Sequence, residues 1–210
     1  MPLIRNDDGV WELKIEDNEN HELDKSHPSY QEALPRYFTA LDRAFTKAQE
    51  KCEFEFLLTL LRVRGIDYRD IGDAYETTLR SIPKLKRVHD KTEDFEAARH
   101  LQLWTYGHIV EASEPYEILS NLINISLGGR FGGRFYPHKA GIKKPETPSY
   151  KIEQIEKDAC KAGIPEVTIP LKEIWNRNLR NAIFHSDYIL VGGEVHTLSR
   201  IYTHDEIMTI

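Results

Sequence analysis

From residue 34 to residue 185 the apolar side chains recur at helical spacing, in runs that glycine or proline interrupts. After residue 187 the spacing becomes that of strands. This single change of period restricts the chain to a mainly helical body followed by a small β element. Leu34, Phe38, Leu41 and Phe45 repeat every three or four residues, with Pro35 placed in the first turn of a helix that starts near Ser29. Phe56, Leu57, Leu60 and Leu61 form a second run that stops near Gly65. Ile71, Tyr75 and Leu79 mark a third from Asp67, ending before Pro83. A fourth covers Glu93 to Glu111, with Phe95, Leu101, Trp104 and Val110 turned inward.

Ser113-Glu114-Pro115 then reads as a serine N-cap with proline in the first turn, and Tyr116, Leu119, Leu122 and Ile123 carry that helix to Gly128. Tyr150 to Lys161 is a short helix closed by Gly163, and Pro170 opens a last one that runs to residue 186. "YILV" and "EVHTL" flank Gly192-Gly193, a hairpin over 188–199. Thr203-x-x-Glu206 is a capping box that announces one more helix. Only four residues follow it, so that helix is either stunted or cut short, and truncation is the preferred reading. Near the start, "GVWELKI" alternates as a short strand. The expected fold is therefore mainly α, a helical bundle with a short N-terminal strand and a C-terminal β-hairpin. Its expected parts are an acidic segment 1–27, a helical region 28–112 and helices 113–210, the last two forming one compact domain.

Composition narrows the function classes. No apolar run approaches the roughly 20 residues that cross a bilayer, and the start "MPLIRNDDGVWELK" lacks the cationic and apolar parts of a signal peptide. Cys52 and Cys160 stand far apart, which suits free thiols in a reducing cytoplasm and disfavours a cysteine zinc site. A net charge of −6 argues against a protein that coats nucleic acid. The charge is uneven, however: residues 1–24 hold eight acidic and two basic side chains. Residues 126–145 hold five basic ones (Arg130, Arg134, Lys139, Lys143, Lys144) and no acid. A local anion site is compatible with that balance.

Two features could carry chemistry before the last helix is considered. "GGRFGGRF" lacks the Gly-Lys-Ser/Thr of a P-loop and follows a helix, where a dinucleotide fold would have a strand. Its arginines and aromatics (Arg130, Phe131, Arg134, Phe135) either contact phosphates and stack on bases, or belong to a loop whose aromatics tuck against the bundle. His100 and His108 share one helix but lie two turns apart, too far to hold one ion unaided, and no HExxH spacing occurs. No metal or cofactor is expected.

"LRNAIFHSDYIL" occupies residues 179–190, and on a helical wheel of residues 171–185 Leu171, Trp175, Leu179, Ala182 and Ile183 share one arc. Arg177, Arg180, Asn181 and Phe184 share the other, with His185 at the boundary, one turn beyond Asn181 and within its reach. Two cations, an amide and an imidazole suit RNA cleavage by the RNA's own 2′-hydroxyl. Histidine can act as base or acid, arginine offers a donor fork to phosphate oxygens, and the amide can orient either. The same spacing also fits a solvated surface helix whose histidine stands in the last turn, where the helix dipole favours a cation.

"LRNAIFHSDY" resembles the signature of the HEPN superfamily (higher eukaryotes and prokaryotes nucleotide-binding). In that pattern an arginine and a polar residue are followed, after three intervening positions, by histidine near the end of a bundle's last helix. Arg180, Asn181 and His185 match it, and the helices from Ser113 to His185 fit the bundle around it. Phe184 departs from the family, which often has a small residue there; it either tightens a dimer contact or narrows the groove. The resemblance implies a HEPN-type bundle that pairs with a second copy, so that two motif helices face across a two-fold axis and supply two histidines. It also implies a metal-independent endoribonuclease in a toxin–antitoxin or phage-defence (abortive-infection) setting. Arg180, Asn181 and His185 would be catalytic, and Arg177, Arg130 and Arg134 would bind RNA. An antitoxin or other partner protein is implied as well, and no membrane. Two other classes fit the same residues: a silent HEPN-like module that binds a nucleotide or protein, and a purely structural helical dimer.

Overall fold

The computed structural model describes residues 3–5, 11–13, 28–63, 74–132, 135 and 147–209. The chain is mainly helical, with a small three-stranded antiparallel sheet near its C-terminus. Two short strands come first, β1 (Leu3–Arg5) and β2 (Trp11–Leu13), paired antiparallel with Ile4 opposite Glu12. The rest of the acidic segment, Gly65, and the third run's Asp67 to Ile71 lie outside the described residues, as do Arg134, Lys139, Lys143 and Lys144.

Helices α1 (Pro28–Lys51), α2 (Glu53–Val63), α5 (Ser113–Ser126) and α6 (Pro148–Ala162) surround a first apolar core. Helix α5 is its axis: Tyr116, Leu119, Leu122, Ile123 and Ile125 are all buried. On α1 the buried stripe is Ala40, Ala44 and Ala48, while Leu34 and Phe38 are exposed. Small side chains let two helix backbones approach closely, so the inward face of α1 is the alanine face and only Leu41 and Phe45 of the expected set pack on the core. Pro35 also lies deeper in α1 than expected, well past the first turn.

Helix α3 (Ala74–Lys91) runs through Pro83 instead of ending before it. An internal proline removes one helix hydrogen bond. Ile82 and Leu85, on either side of that proline, line an apolar groove beside α4 (Phe95–Glu111). On α4 the buried positions are Arg99, Leu103, Gly107 and Val110, whereas Phe95 and Trp104 are more than half exposed (54% and 56%), contrary to the sequence expectation. An arginine and a glycine occupy its inner face, so apolarity does not mark that face. Asp94 caps the helix, accepting from the backbone amides of Glu96 and Ala97.

Ala112, not Ser113, is the cap of α5; the Ser113 hydroxyl instead accepts from Lys151 Nζ at 2.8 Å. Gly128 and Gly163 close α5 and α6 in the left-handed region, at φ +88° and +70°, where glycine alone is unstrained.

A 3-10 turn (Pro165–Thr168) leads into α7 (Ile169–Ile174), and a separate helix α8 (Arg177–His185) follows. The single helix expected over 170–186 is therefore broken, with Trp175 and Asn176 both extended (ψ 112° and 100°). Different packing partners explain the break. Leu171 and Trp175 pack on the first core, while Leu179 and Ile183 belong to a second one with Leu103, Val195, Tyr202 and Ile207. One straight helix cannot point both pairs at their cores.

The freed polar groups are satisfied locally. Tyr106 donates its hydroxyl to Ile174 C=O and accepts from Asn176 N–H, so the break leaves no orphan at these positions. Asn176 caps α8 by accepting from Leu179 N–H at 3.0 Å and also accepts from the buried Tyr202 hydroxyl at 3.1 Å.

Strands β3 (Tyr188–Val191) and β4 (Glu194–Thr197) form the expected hairpin, with Val191 opposite Glu194 across Gly192-Gly193. Both glycines have positive φ, as a two-residue hairpin turn demands. The hairpin gains a third strand, β5 (Ile201–Tyr202), paired with β4. Thr203 and Glu206 then close the capping box: each accepts from the other's backbone amide, and α9 (His204–Thr209) starts there. The Thr203 amide, first, and nearby Arg200 hold the Glu206 carboxyl below its ordinary pKa. Among the described residues, no helix is long and apolar enough to cross a membrane.

Candidate active site on helix α8

Helix α8 presents a polar outer face because its inner one is fixed by Leu179, Ala182 and Ile183, all buried. Its end is abrupt. Asp187 N–H closes on Ala182 C=O and Ser186 takes the left-handed conformation (φ 57°), which places His185 in the final turn. Helix α4 lies antiparallel alongside: Gly107 faces the Phe184 ring, and Glu111 lies opposite Arg180. A Cβ at position 107 would stand 3.1 Å from that ring, so the glycine is what lets Phe184 seat there.

Arg180 is the centre of the site. Its Nε donates to Glu111 Oε1 at 2.5 Å and its Nη1 to Asn181 Oδ1 at 3.0 Å. Its guanidinium lies 4.7 Å from the centre of the Phe184 ring, in cation–π range. Both ends of the Arg180–Glu111 pair remain partly exposed, at 26% and 30%. Two hydrogen bonds hold the fork, and among the described residues Nη2 and the second Nη1 hydrogen have no acceptor. Phe184 is exposed beside it, His185 is exposed in the last turn of the helix, and among the described residues the imidazole has no hydrogen-bond partner. Asn181 turns its carbonyl to Arg180, and no hydrogen bond joins it to His185, contrary to the expected contact. Within one copy the amide orients the arginine rather than the imidazole.

Arg177 is exposed at the first position of α8, one turn from Arg180 and Asn181. Arg130 is not brought to this face. It is exposed at the far end of α5, where its carbonyl accepts from Asn124 Nδ2. Ser113, next to Glu111, is eleven residues from Asn124, roughly 16 Å along a helix. Arg134 lies outside the described residues.

The described part of the glycine-rich loop returns along α5. Gly132 N–H donates to Asn121 Oδ1 at 2.9 Å and Phe135 N–H to Glu117 Oε2 at 2.7 Å, while Phe131 N–H donates to Glu55 on α2. Glu117, Asn121 and Asn124 recur at i, i+4 and i+7, one stripe of α5 whose side chains answer loop backbone groups. Phe135 is buried in the first core. At Phe135 the loop thus tucks an aromatic against the bundle.

Glu111 is the site residue that sequence reasoning missed. It lies 69 positions before Arg180, and no spacing rule connects them. A carboxylate ending one helix and an arginine inside another become neighbours only when the helices pack. Comparison with known proteins yields no match: no family model, no curated protein and no solved structure is significantly similar to this chain.

Proposed function

We propose that the outer face of α8 is the RNA-cleaving site of a metal-independent endoribonuclease of HEPN type, completed by a second copy of the chain. The supporting observation is the state of Arg180: a guanidinium oriented by Glu111 and Asn181, with an exposed histidine, His185, in the last turn of the same short helix. Such a fork is pre-ordered for a phosphate oxygen. The exposed Phe184 on α8 and the exposed Trp104 on α4 offer apolar area for the pairing of two copies.

In the proposed reaction, His185 of one copy takes the proton from a ribose 2′-hydroxyl. The freed oxygen attacks the adjacent phosphorus while Arg180 balances the added negative charge. The 5′-oxygen leaves with a proton from His185 of the other copy, giving a 2′,3′-cyclic phosphate and a 5′-hydroxyl. Arg177 contacts the flanking backbone, and Arg130 and Arg134 hold more distant RNA. The setting that fits such an enzyme is the cytoplasm, in a toxin or phage-defence role with an antitoxin or other protein holding it in check.

A second reading has its own support. Glu111 already neutralises Arg180, as expected of a silent nucleotide- or protein-binding module in which the motif shapes an interface. Purified protein incubated with RNA in EDTA separates the two. The enzyme reading expects cyclic-phosphate ends, lost in His185→Ala and in Arg180→Ala without loss of the melting transition. Cleavage that survives in both variants would remove the assignment. Dimerisation or nucleotide binding lost in Arg180→Ala, with no RNA cut by the wild type, would support the second reading.

A further inference from the structure

A second polar centre lies away from the outer face of α8. Arg99, on α4, is 3% exposed, yet no carboxylate pairs with it among the described residues. Its Nη1 donates to Gln102 Oε1 at 2.7 Å and its Nη2 to His204 Nδ1, and its buried Nε has no partner. Arginine has no acceptor, so His204 Nδ1 must be the accepting nitrogen, and its ring proton sits on Nε2. Burial lowers the pKa of the guanidinium from its ordinary value, but an arginine stays charged at any working pH. A buried cation that holds only neutral partners is costly, and it is one negative charge short.

The guanidinium lines a cavity of about 360 Å³ between the end of α3, the start of α4 and α9, with His89, Phe95 and Gln102 among its walls. His89, Asp90 and Gln102 also line an adjoining groove of about 450 Å³, whose remaining walls are mostly apolar: Ile82, Leu85, Leu101, Ile109, Leu179 and Ile207. Each volume falls in the ordinary range for small-ligand pockets. The acids nearby do not cancel Arg99. Asp90 is bound by Lys86 and His89, both at 3.1 Å, and His89 first and Lys86 second hold its carboxyl below the usual range. Glu93 is exposed at the rim, where solvent screens it.

We infer that this cleft binds a small amphipathic monoanion, with a carboxylate head against Arg99 and an apolar body in the α3–α4 groove. The charge deficit at Arg99 calls for a single anion, and the apolar walls call for a hydrocarbon or aromatic tail. The site does not depend on the reading of α8.

The test uses the full chain and titration calorimetry with decanoate, acetate and decanol. Decanoate should bind with a dissociation constant below about 1 mM, and the tailless acid and the headless alcohol at least tenfold more weakly. Arg99→Gln should weaken decanoate at least tenfold and leave decanol unchanged. Ala98→Phe, which fills the cavity beside Arg99 while leaving Arg99 and its partners in place, should abolish decanoate binding. It keeps the test decisive if Arg99→Gln does not fold. Equal affinity for decanoate and decanol, full binding by Ala98→Phe, or no decanoate binding by the wild type would each overturn the inference.

Discussion

Replacing Asn176 by alanine tests whether one side chain holds the broken helix in place. The Asn176 carbonyl oxygen accepts from Leu179 N–H at 3.0 Å and from Tyr202 Oη at 3.1 Å. Losing an N-cap acceptor costs about 1 kcal/mol. Tyr202 is 1% exposed, and stranding its hydroxyl adds about 1–2 kcal/mol. The expected loss is therefore about 2–3 kcal/mol. For a chain of this length that lowers the melting temperature by roughly 5–10 °C.

Circular-dichroism melting and urea titration of Asn176→Ala, Tyr202→Phe and the double variant make the check. In the double variant no hydroxyl is left stranded, so the two single losses should exceed the double loss by about 1 kcal/mol. Asn176→Asp, which keeps the cap acceptor, should recover most of the stability. An Asn176→Ala melting temperature within about 1 °C of the wild type, or single losses that simply add, would refute this role for Asn176.

Three further outcomes follow from the same packing. Gly107→Ala should change stability by less than about 1 kcal/mol: the gain in helix propensity offsets a small outward shift of the Phe184 ring, which is exposed and free to yield. Chemical denaturation reads this directly. Ser186→Gly should stabilise by about 0.5–1 kcal/mol, because serine holds a left-handed φ of 57° that glycine adopts without strain; a lower melting temperature would contradict it. Burial pushes the Tyr106 hydroxyl up to about 12, and Tyr116 rises further for the same first reason. Their neutral forms therefore contribute stability that is complete below the ordinary tyrosine pKa near 10 and is lost as the pH climbs toward 12. Melting temperatures across that window should fall, and less steeply in Tyr106→Phe.

The sequence alone determined the punctuation of this protein. Gly128, Gly163 and the Gly192-Gly193 turn stand where positive φ is needed, and Thr203 with Glu206 starts α9 as their spacing requires. The polar face of α8 was equally legible, because residues three and four apart share a side whatever the helix packs against. These are local rules, satisfied within a few residues.

Tertiary structure decided what local rules do not reach. It broke the last helix at Trp175 and Asn176, since Leu171 and Leu179 answer to different cores. The inner face of α4 went to Arg99, Leu103 and Gly107 because α8, β5 and α9 supply partners there, leaving Phe95 and Trp104 outside. Packing also chose Glu111 to orient Arg180 and, among the described residues, left Arg99 without a counter-charge. Such pairings depend on which surfaces meet after helices form, and a contact across dozens of residues has no period in the chain to announce it.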